Sequence, residues 1–553
     1  MQTQTFYFLG EPGASAKAID LEPDLSFDQL QALVGAHFAV VKPSGIAFQS
    51  GDDALNEVAE ILAAAEPVAL TVDGHAVRDV PSPPGGLPYV GNYLQIYPDH
   101  LGNHQRLFES LGPVIKTVSL GRTVYQTNDP ELALVAFAED AFFTKHINEA
   151  HPLFPIKTPE AGVFLGDTDT AEWRLVHKFL PPALGPKAVR HYAPTMQQTI
   201  ESAFAVFDAL DTQDTAWNVY PYMVKLGSQA VGKITLGIDF GHFAGPDAPM
   251  HEMVSLIAEL LSLNKKVMSR GDWYRSLPFG DPARLRAVRA RIEAIFDESV
   301  RSATAAGVED LPLQTAALQA ANMVDYAVRA VDSKGEKLPS ANLLSALIVV
   351  TGAGFTTTSS LLSWLIYSLV TYPGVQDRLL QELVDHGFDD ETVLTADFTD
   401  GLPFLDNFVK ETLRRHNPSY QPGRTAKADL VLPGGYRLPR DTILIPALHH
   451  IHNNPAVWDN PTRYDPDRWD TPAAKAVPKG AFMPFAAGPR MCIGFHFALQ
   501  EVKVFLPKLV YRYEFIREGD GTIEYDPMFQ LIRPNNLYVR ASRRVKWPLK
   551  TTA

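Results

Sequence analysis

Residues 338–376 contain no Asp, Glu, Lys or Arg. A run of that length has two natural homes: a helix that crosses a membrane, or a helix that crosses the middle of a large body. Its centre is not uniformly oily. Gly352-Ala-Gly-Phe-Thr-Thr-Thr-Ser-Ser360 sets small residues and hydroxyls there, and both readings accommodate them. The chain is 553 residues long, which invites one large body plus something smaller. Its first residues show no basic segment followed by an apolar core, so no signal peptide is expected. Net charge is -14, which opposes a role built on nucleic-acid phosphates.

Cys492 is the only cysteine, which excludes disulfides, cysteine-rich zinc sites and iron–sulfur clusters held within the chain. It sits in Phe485-Ala-Ala-Gly-Pro-Arg-Met-Cys-Ile-Gly494, with a glycine on either side and Arg490 just before it. The glycines leave room for a flat object against the backbone, and Arg490 offers donors to a carboxylate at its edge. A merely structural buried cysteine leaves both features unexplained.

This segment resembles the haem-binding loop of cytochromes P450, Phe-x-x-Gly-x-Arg-x-Cys-x-Gly, without departure. The resemblance implies haem b as cofactor, Cys492 as the iron ligand, and Phe485 and Arg490 as haem contacts. It also favours the core-helix reading of residues 338–376, because that fold has one long helix across the haem; no membrane span is then expected.

Other motifs follow the same resemblance. Gly352-Ala-Gly-Phe-Thr-Thr-Thr358 is similar to the oxygen-binding groove of that helix. Ala353 and Gly354 supply the small residues, and Thr357 falls on the threonine that positions protons. The usual acid is missing, since Thr356 occupies its place; a hydroxyl relays hydrogen bonds but is no buried carboxylate. Glu411-Thr-Leu-Arg414 puts an acid and an arginine on one helical face beside apolar residues, and with Arg468 of Tyr464-Asp-Pro-Asp-Arg-Trp469 it resembles the structural Glu-x-x-Arg network.

Trp173-Arg-Leu-Val-His177 opens a helix whose Trp173 and His177 face the haem propionates in soluble fatty-acid hydroxylases of the family. In the same group Phe164 stands where a ring meets the substrate's terminal carbons. Gly121-Arg-Thr-Val-Tyr125 resembles the segment whose arginine and tyrosine receive a fatty carboxylate, with the tyrosine shifted by one residue, so Arg122 and Tyr125 are candidate substrate contacts.

Upstream, residues 1–75 show their own pattern of short strands and helices: strands over 3–9, 17–21, 40–48 (with a turn at Pro43-Ser-Gly45) and 68–72, and helices from a Ser26 cap and over 52–65. A small α+β module or an elaborated extension both fit. Pro81-Ser-Pro-Pro-Gly-Gly-Leu-Pro-Tyr-Val-Gly91 is a turn-rich boundary. The expected organisation is therefore a module over 1–75, a hinge over 76–92, and a mainly α domain with small β-sheets, the P450 fold, over 93–553. Near the C-terminus a helix from residue 501 is expected, then strands over 523–525 and 537–541.

The resemblance implies a cytoplasmic haem-thiolate monooxygenase that uses O2 on a lipophilic small molecule, a fatty acid by preference. No reductase-sized stretch follows Pro548, so a separate reductase or ferredoxin system would supply electrons. The competing readings are tailoring oxidation of a terpenoid, steroid or aromatic metabolite, and a peroxide-driven enzyme, to which Thr356 and the lack of a fused reductase both lean.

Overall fold

A computed structural model describes residues 2–305, 309–419, 422–527, 529 and 531–551. The chain divides into two units. Unit 1 comprises Met1–His146, Gln421–Ala447 and Ala487–Pro489; unit 2 comprises Ile147–Tyr420, Leu448–Ala486 and Arg490–Ala553.

Unit 1 begins with a five-stranded mixed sheet. Its strands are β1 (Gln2–Phe8), β2 (Lys17–Leu21), β3 (Ile46–Ser50), β4 (Asp53–Leu55) and β5 (Val68–Val72), in the order β2-β1-β5-β3-β4 with β1 and β5 parallel. Helix α1 (Phe27–Phe38) starts at Ser26, whose hydroxyl accepts from Gln29 N–H while the Gln29 side chain accepts from Ser26 N–H. Leu30, Val34 and Phe38 of α1 are buried with Phe6, Phe48 and Leu70 of the sheet. The turn expected at Pro43-Ser-Gly45 is a 3-10 turn; before it Val40 makes only an isolated bridge to Val431, and the strand proper is β3 after it. A second expectation is corrected here. Residues 52–65 are not one helix: β4 pairs back on β3 first, and only Val58–Ala63 is helical.

A segment distant in sequence completes this core. Val431 is buried among the sheet's apolar residues; its N–H donates to Ala39 O and its own carbonyl accepts from Val41 N–H. Further strands of unit 1 are β6 (Arg78–Asp79), β7 (Val114–Ser119), β8 (Arg122–Thr127), β9 (Phe143–Thr144), β10 (Arg424–Ala426), β11 (Leu430–Leu432), β12 (Tyr436–Leu438) and β13 (Ile443–Pro446). They form one sheet in the order β7-β8-β13-β10-β9 and another in the order β11-β12-β6. Helix α2 (His100–Leu111) precedes β7.

Unit 2 is mainly helical. Among its helices are α3 (Ala171–Phe179), α4 (Val219–Val231), α5 (Glu252–Ser269), α6 (Ser340–Thr371), α7 (Pro403–Arg415) and α8 (Phe495–Arg512). Helix α6 is the uncharged stretch, and it is the one described helix long and apolar enough to cross a membrane. Here its Leu347, Phe355, Leu362 and Leu365 enter the main apolar core. Its buried hydroxyls are satisfied within the helix: Thr356, Thr358, Ser360 and Ser363 each donate to the carbonyl one turn back. Ser359 instead donates to Met223 O on α4 at 3.0 Å.

The C-terminal expectation also changes. Residues 523–525 are not a strand; Tyr525 makes only an isolated bridge to Pro534. The partner of β15 (Tyr538–Arg543) is β14 (Tyr513–Glu518), which leaves α8 without a break. Tyr513 and Phe515 are buried in it while Glu514 and Ile516 face outward, the alternation of a half-buried strand.

Candidate active site

Cys492 lies just ahead of α8, and its N–H donates to Phe485 O at 3.0 Å, closing the loop on itself. Ala486 inside the loop has a left-handed φ of 60, which costs an L residue strain that the closed loop must hold. Within unit 1, Gly488 also has a positive φ, and a side chain there would collide with the Phe137 carbonyl. At Gly494 an added Cβ would meet nothing within 4 Å. The Cys492 side chain is accessible yet deep in its unit: burial pushes the thiol up, and the Gly494 N–H opposes that shift. A cation at the sulfur would reverse the balance and draw out the thiolate.

Arg490 gathers the next group of residues. Its guanidinium donates to Val163 O and Gly166 O, both at 2.7 Å, and to Thr168 Oγ1 at 3.2 Å. It also lies 4.9 Å from the centroid of the Trp173 ring. Thr170 caps α3 by accepting from Trp173 N–H, and one turn on, the His177 ring lies 4.7 Å from that of Trp173. Partial burial and then the Arg490 charge hold His177 below the usual imidazole range. Arg490, Trp173 and His177, separate in sequence, thus form one cluster. The two shorter contacts to Arg490 carry no sequence signal, because they are made by the backbone carbonyls of Val163 and Gly166.

On α6, Thr357 Oγ1 donates to Ala353 O at 2.8 Å and Thr356 Oγ1 to Gly352 O at 2.7 Å. Thr356 is buried, whereas Ala353 is exposed and Gly354 and Thr357 are partly so, giving α6 one accessible face of small and hydroxyl groups.

The Glu411–Arg414 pair is fully buried. Arg414 donates to both Glu411 oxygens at 2.9 and 2.8 Å, and to His452 O, Pro461 O and Arg463 O. All five guanidinium hydrogens are thereby used. Asp465 N–H and Arg468 Nε also reach Glu411 Oε1, at 2.9 and 3.3 Å. His452, not singled out from the sequence, accepts Met483 N–H at Nε2 across 3.0 Å, which links this network to the approach to the cysteine loop.

The candidate substrate contacts divide between the units. Phe164, in the segment gripped by Arg490, is 49% exposed. Arg122 opens β8 and is half-buried. Tyr125 is packed in unit 1 with Val114, Leu132, Phe143 and Leu444, and burial raises its phenol pKa, so the ring serves as core there.

These residues fit a haem: a lone accessible cysteine beside a glycine with open space, an arginine–tryptophan–histidine cluster suited to carboxylate edges, and an accessible small-residue face on α6. Cys492 would hold the iron, and Arg490, Trp173 and His177 would hold the edge. The group, when bound through a cysteinate, supplies oxygen activation. The chain's own residues would anchor it, and the Thr356–Thr358 hydroxyls hold their protons on the carbonyls one turn back.

Comparison with known proteins bears on the family and the fold. The cytochrome P450 family pattern matches residues 81–539. Cytochrome P450 monooxygenase alnD of Emericella nidulans is 47% identical over 555 residues, covering 100% of both chains. Human cytochrome P450 4F3 is 28% identical over 62% of this chain and 67% of its own, and leukotriene-B4 omega-hydroxylase 3 of Mus musculus is 27% identical over the same shares. In fold, the crystal structure of the cytochrome P450DA heme domain superposes with a TM-score of 0.74 at 22% identity, over 85% of this chain and 98% of that one. With the family pattern spanning most of its length and a relative matched end to end, the chain belongs to the cytochrome P450 family of haem-dependent monooxygenases.

Proposed function

We propose that this monooxygenase hydroxylates a fatty acid or a similar lipophilic acid on its alkyl chain. The observation that carries the reading is Phe164. Its large ring is half-exposed on the segment whose carbonyls are fixed by Arg490, the arginine that this reading assigns to the haem edge. A ring held on such a segment presses an alkyl chain into position without flexing. The mouse relative named a leukotriene-B4 omega-hydroxylase adds support.

Each buried methylene contributes about 0.8 kcal/mol, whereas an exposed arginine–carboxylate pair contributes about 1 kcal/mol at most. Chain length therefore governs affinity, and a charged contact to the carboxylate governs orientation. Tyr125 is packed as a core ring of unit 1.

An optical titration of the ferric protein tests it, with a fatty-acid series beside terpenoids, steroids and aromatic compounds. A high-spin shift that tightens with acyl length supports the proposal. If fatty acids of every length leave the spectrum unmoved and a polycyclic compound shifts it, the substrate is a metabolite of that class. Parallel turnover with NADPH and a reductase, or with hydrogen peroxide alone, distinguishes the oxygen-driven from the peroxide-driven route. Cys492→Ala should abolish the thiolate-type carbon monoxide band in either case.

A further inference from the structure

Back-bonding hydroxyls soften α6 where its groove lies. Thr356, Thr357 and Thr358 donate to Gly352 O, Ala353 O and Gly354 O, carbonyls that the helix also needs for its own ladder. Carbonyls shared in this way weaken and bend a helix, and the two glycines add backbone freedom. A helix that is soft over residues 352–358 keeps one groove shape only if something outside it holds the flanks.

Two hydroxyls of α6 supply that hold, because they leave their own helix. Thr351 Oγ1 donates to Thr235 Oγ1 at 3.1 Å, and Ser359 Oγ donates to Met223 O at 3.0 Å. Thr235 Oγ1 gives its own proton to Val231 O at 2.6 Å, so it meets Thr351 as an acceptor. Thr351, Ser359 and Thr235 are all buried. Both bonds end on one stripe of α4 and its continuation, where Met223, Gly227, Val231 and Thr235 recur every four residues. Between the bonds the two helices lie close. A Cβ added at Gly227 would come within 2.9 Å of Ser359 Oγ, and one added at Gly354 would sit 3.4 Å from Val231. Thr235 itself lies in a π-helical turn, Gly232–Leu236, a backbone form that recurs at functional sites.

We propose that Thr351 and Ser359 are positioning residues for the threonine groove: pinned to α4 on either side of residues 352–358, they confine the bend of α6 to the groove and fix its opening. Helix α4 is then a splint along the hidden side of the soft segment. The inference rests on the family reading of Cys492 and Thr357.

The test uses the full-length haem-loaded protein in the ferrous state, with carbon monoxide as the probe and its infrared stretch as the readout. The wild type should give one dominant band. Thr351→Val and Thr235→Val each remove one hydrogen bond and should raise a second, displaced band about fivefold over its wild-type level. The double variant should match either single change, because both remove the same bond. Thr351→Ser keeps the donor and should restore the wild-type spectrum. Ser359→Ala should raise the second band as well, whereas Ser363→Ala, which removes a hydroxyl bonded within α6, should not.

A wild type without the thiolate-type carbon monoxide band overturns the family reading, and the proposal falls with it. With that band present, a stretch unmoved in Thr351→Val and Thr235→Val overturns the proposal alone, even if both variants melt earlier. So does a Thr351→Ser spectrum as altered as that of Thr351→Val, which would make the hydroxyl irrelevant. If Thr351→Val fails to fold, Thr235→Val and Thr351→Ser still decide.

Discussion

The Arg490 guanidinium lies 4.9 Å from the centroid of the Trp173 ring while its Nη2 donates to two carbonyls, Val163 O and Gly166 O. The side chain is therefore fixed on its face and on its fork at once. An arginine held this way presents a set charge before any ligand arrives, which lowers the ordering cost of binding a carboxylate.

Arg490→Lys keeps the charge and loses the fork. Charge-assisted hydrogen bonds are worth about 1.5–3 kcal/mol each and the ring contact about 1 kcal/mol. Haem retention after dilution should fall at least about tenfold, and Trp173→Ala should cost less. Haem transfer to an apo-acceptor protein, followed optically, measures both. Retention equal to the wild type in Arg490→Lys would show that the fork does not matter.

Glu411→Leu strands Arg414, whose five donors are all engaged in a fully buried site. Loss of about 3–5 kcal/mol is expected on denaturant unfolding, and the variant should express poorly. Arg468→Ala removes the longer 3.3 Å contact to Glu411 and the bonds to Asp459 O, Asn460 O and Arg463 O, but leaves the buried pair intact and should cost less, about 1–2 kcal/mol. Equal losses from the two changes would mean that Arg468, not Arg414, holds the carboxylate.

Several buried histidines set an acid limit, His242 and His452 among them, as burial also lowers His416 and His449. His242 is held near pKa 4 by burial; its Nε2 accepts His251 N–H and its Nδ1 is bonded to Lys225 O. Burial holds His452 near 3, with the Arg414 charge adding to the effect. Both folded values lie below the ordinary 6.5, so the unfolded chain binds more protons as pH falls. Their contribution is complete above pH 6.5 and falls by about 1.4 kcal/mol per pH unit for each histidine below it. Unfolding at pH 7 and pH 5 should show this loss, and His242→Gln should lessen the slope. An unchanged slope in that variant would exclude His242 as a source.

A chain starting at Val80 should still take up haem, since unit 2 holds Cys492, Arg490 and Trp173. It loses the apolar neighbours of Val431 and the pairing of β6 with β12. Exposure of Val431 costs about 1.5 kcal/mol, or roughly 1–2 °C in melting temperature for a chain of this length. The carbon monoxide spectrum and a thermal scan check both parts. Failure to bind haem would show that residues 1–79 are required for the fold.

The sequence by itself determined the features whose information is local. An unbroken loop motif around one cysteine, an uncharged helix with small residues at its centre, and a Glu-x-x-Arg spacing are legible because neighbouring residues set their geometry. The Ser26 cap was legible for the same reason. Tertiary structure decided what depends on contacts between distant segments. Carbonyls of residues 163 and 166 hold Arg490, Val431 enters the core of the first sheet, and Tyr125 turns its ring into apolar packing. Backbone carbonyls are common to every residue, so no sequence pattern marks the two that Arg490 uses. Likewise β14 was hidden behind α8, because a strand that starts where a helix ends is announced only by the partner it pairs with, β15.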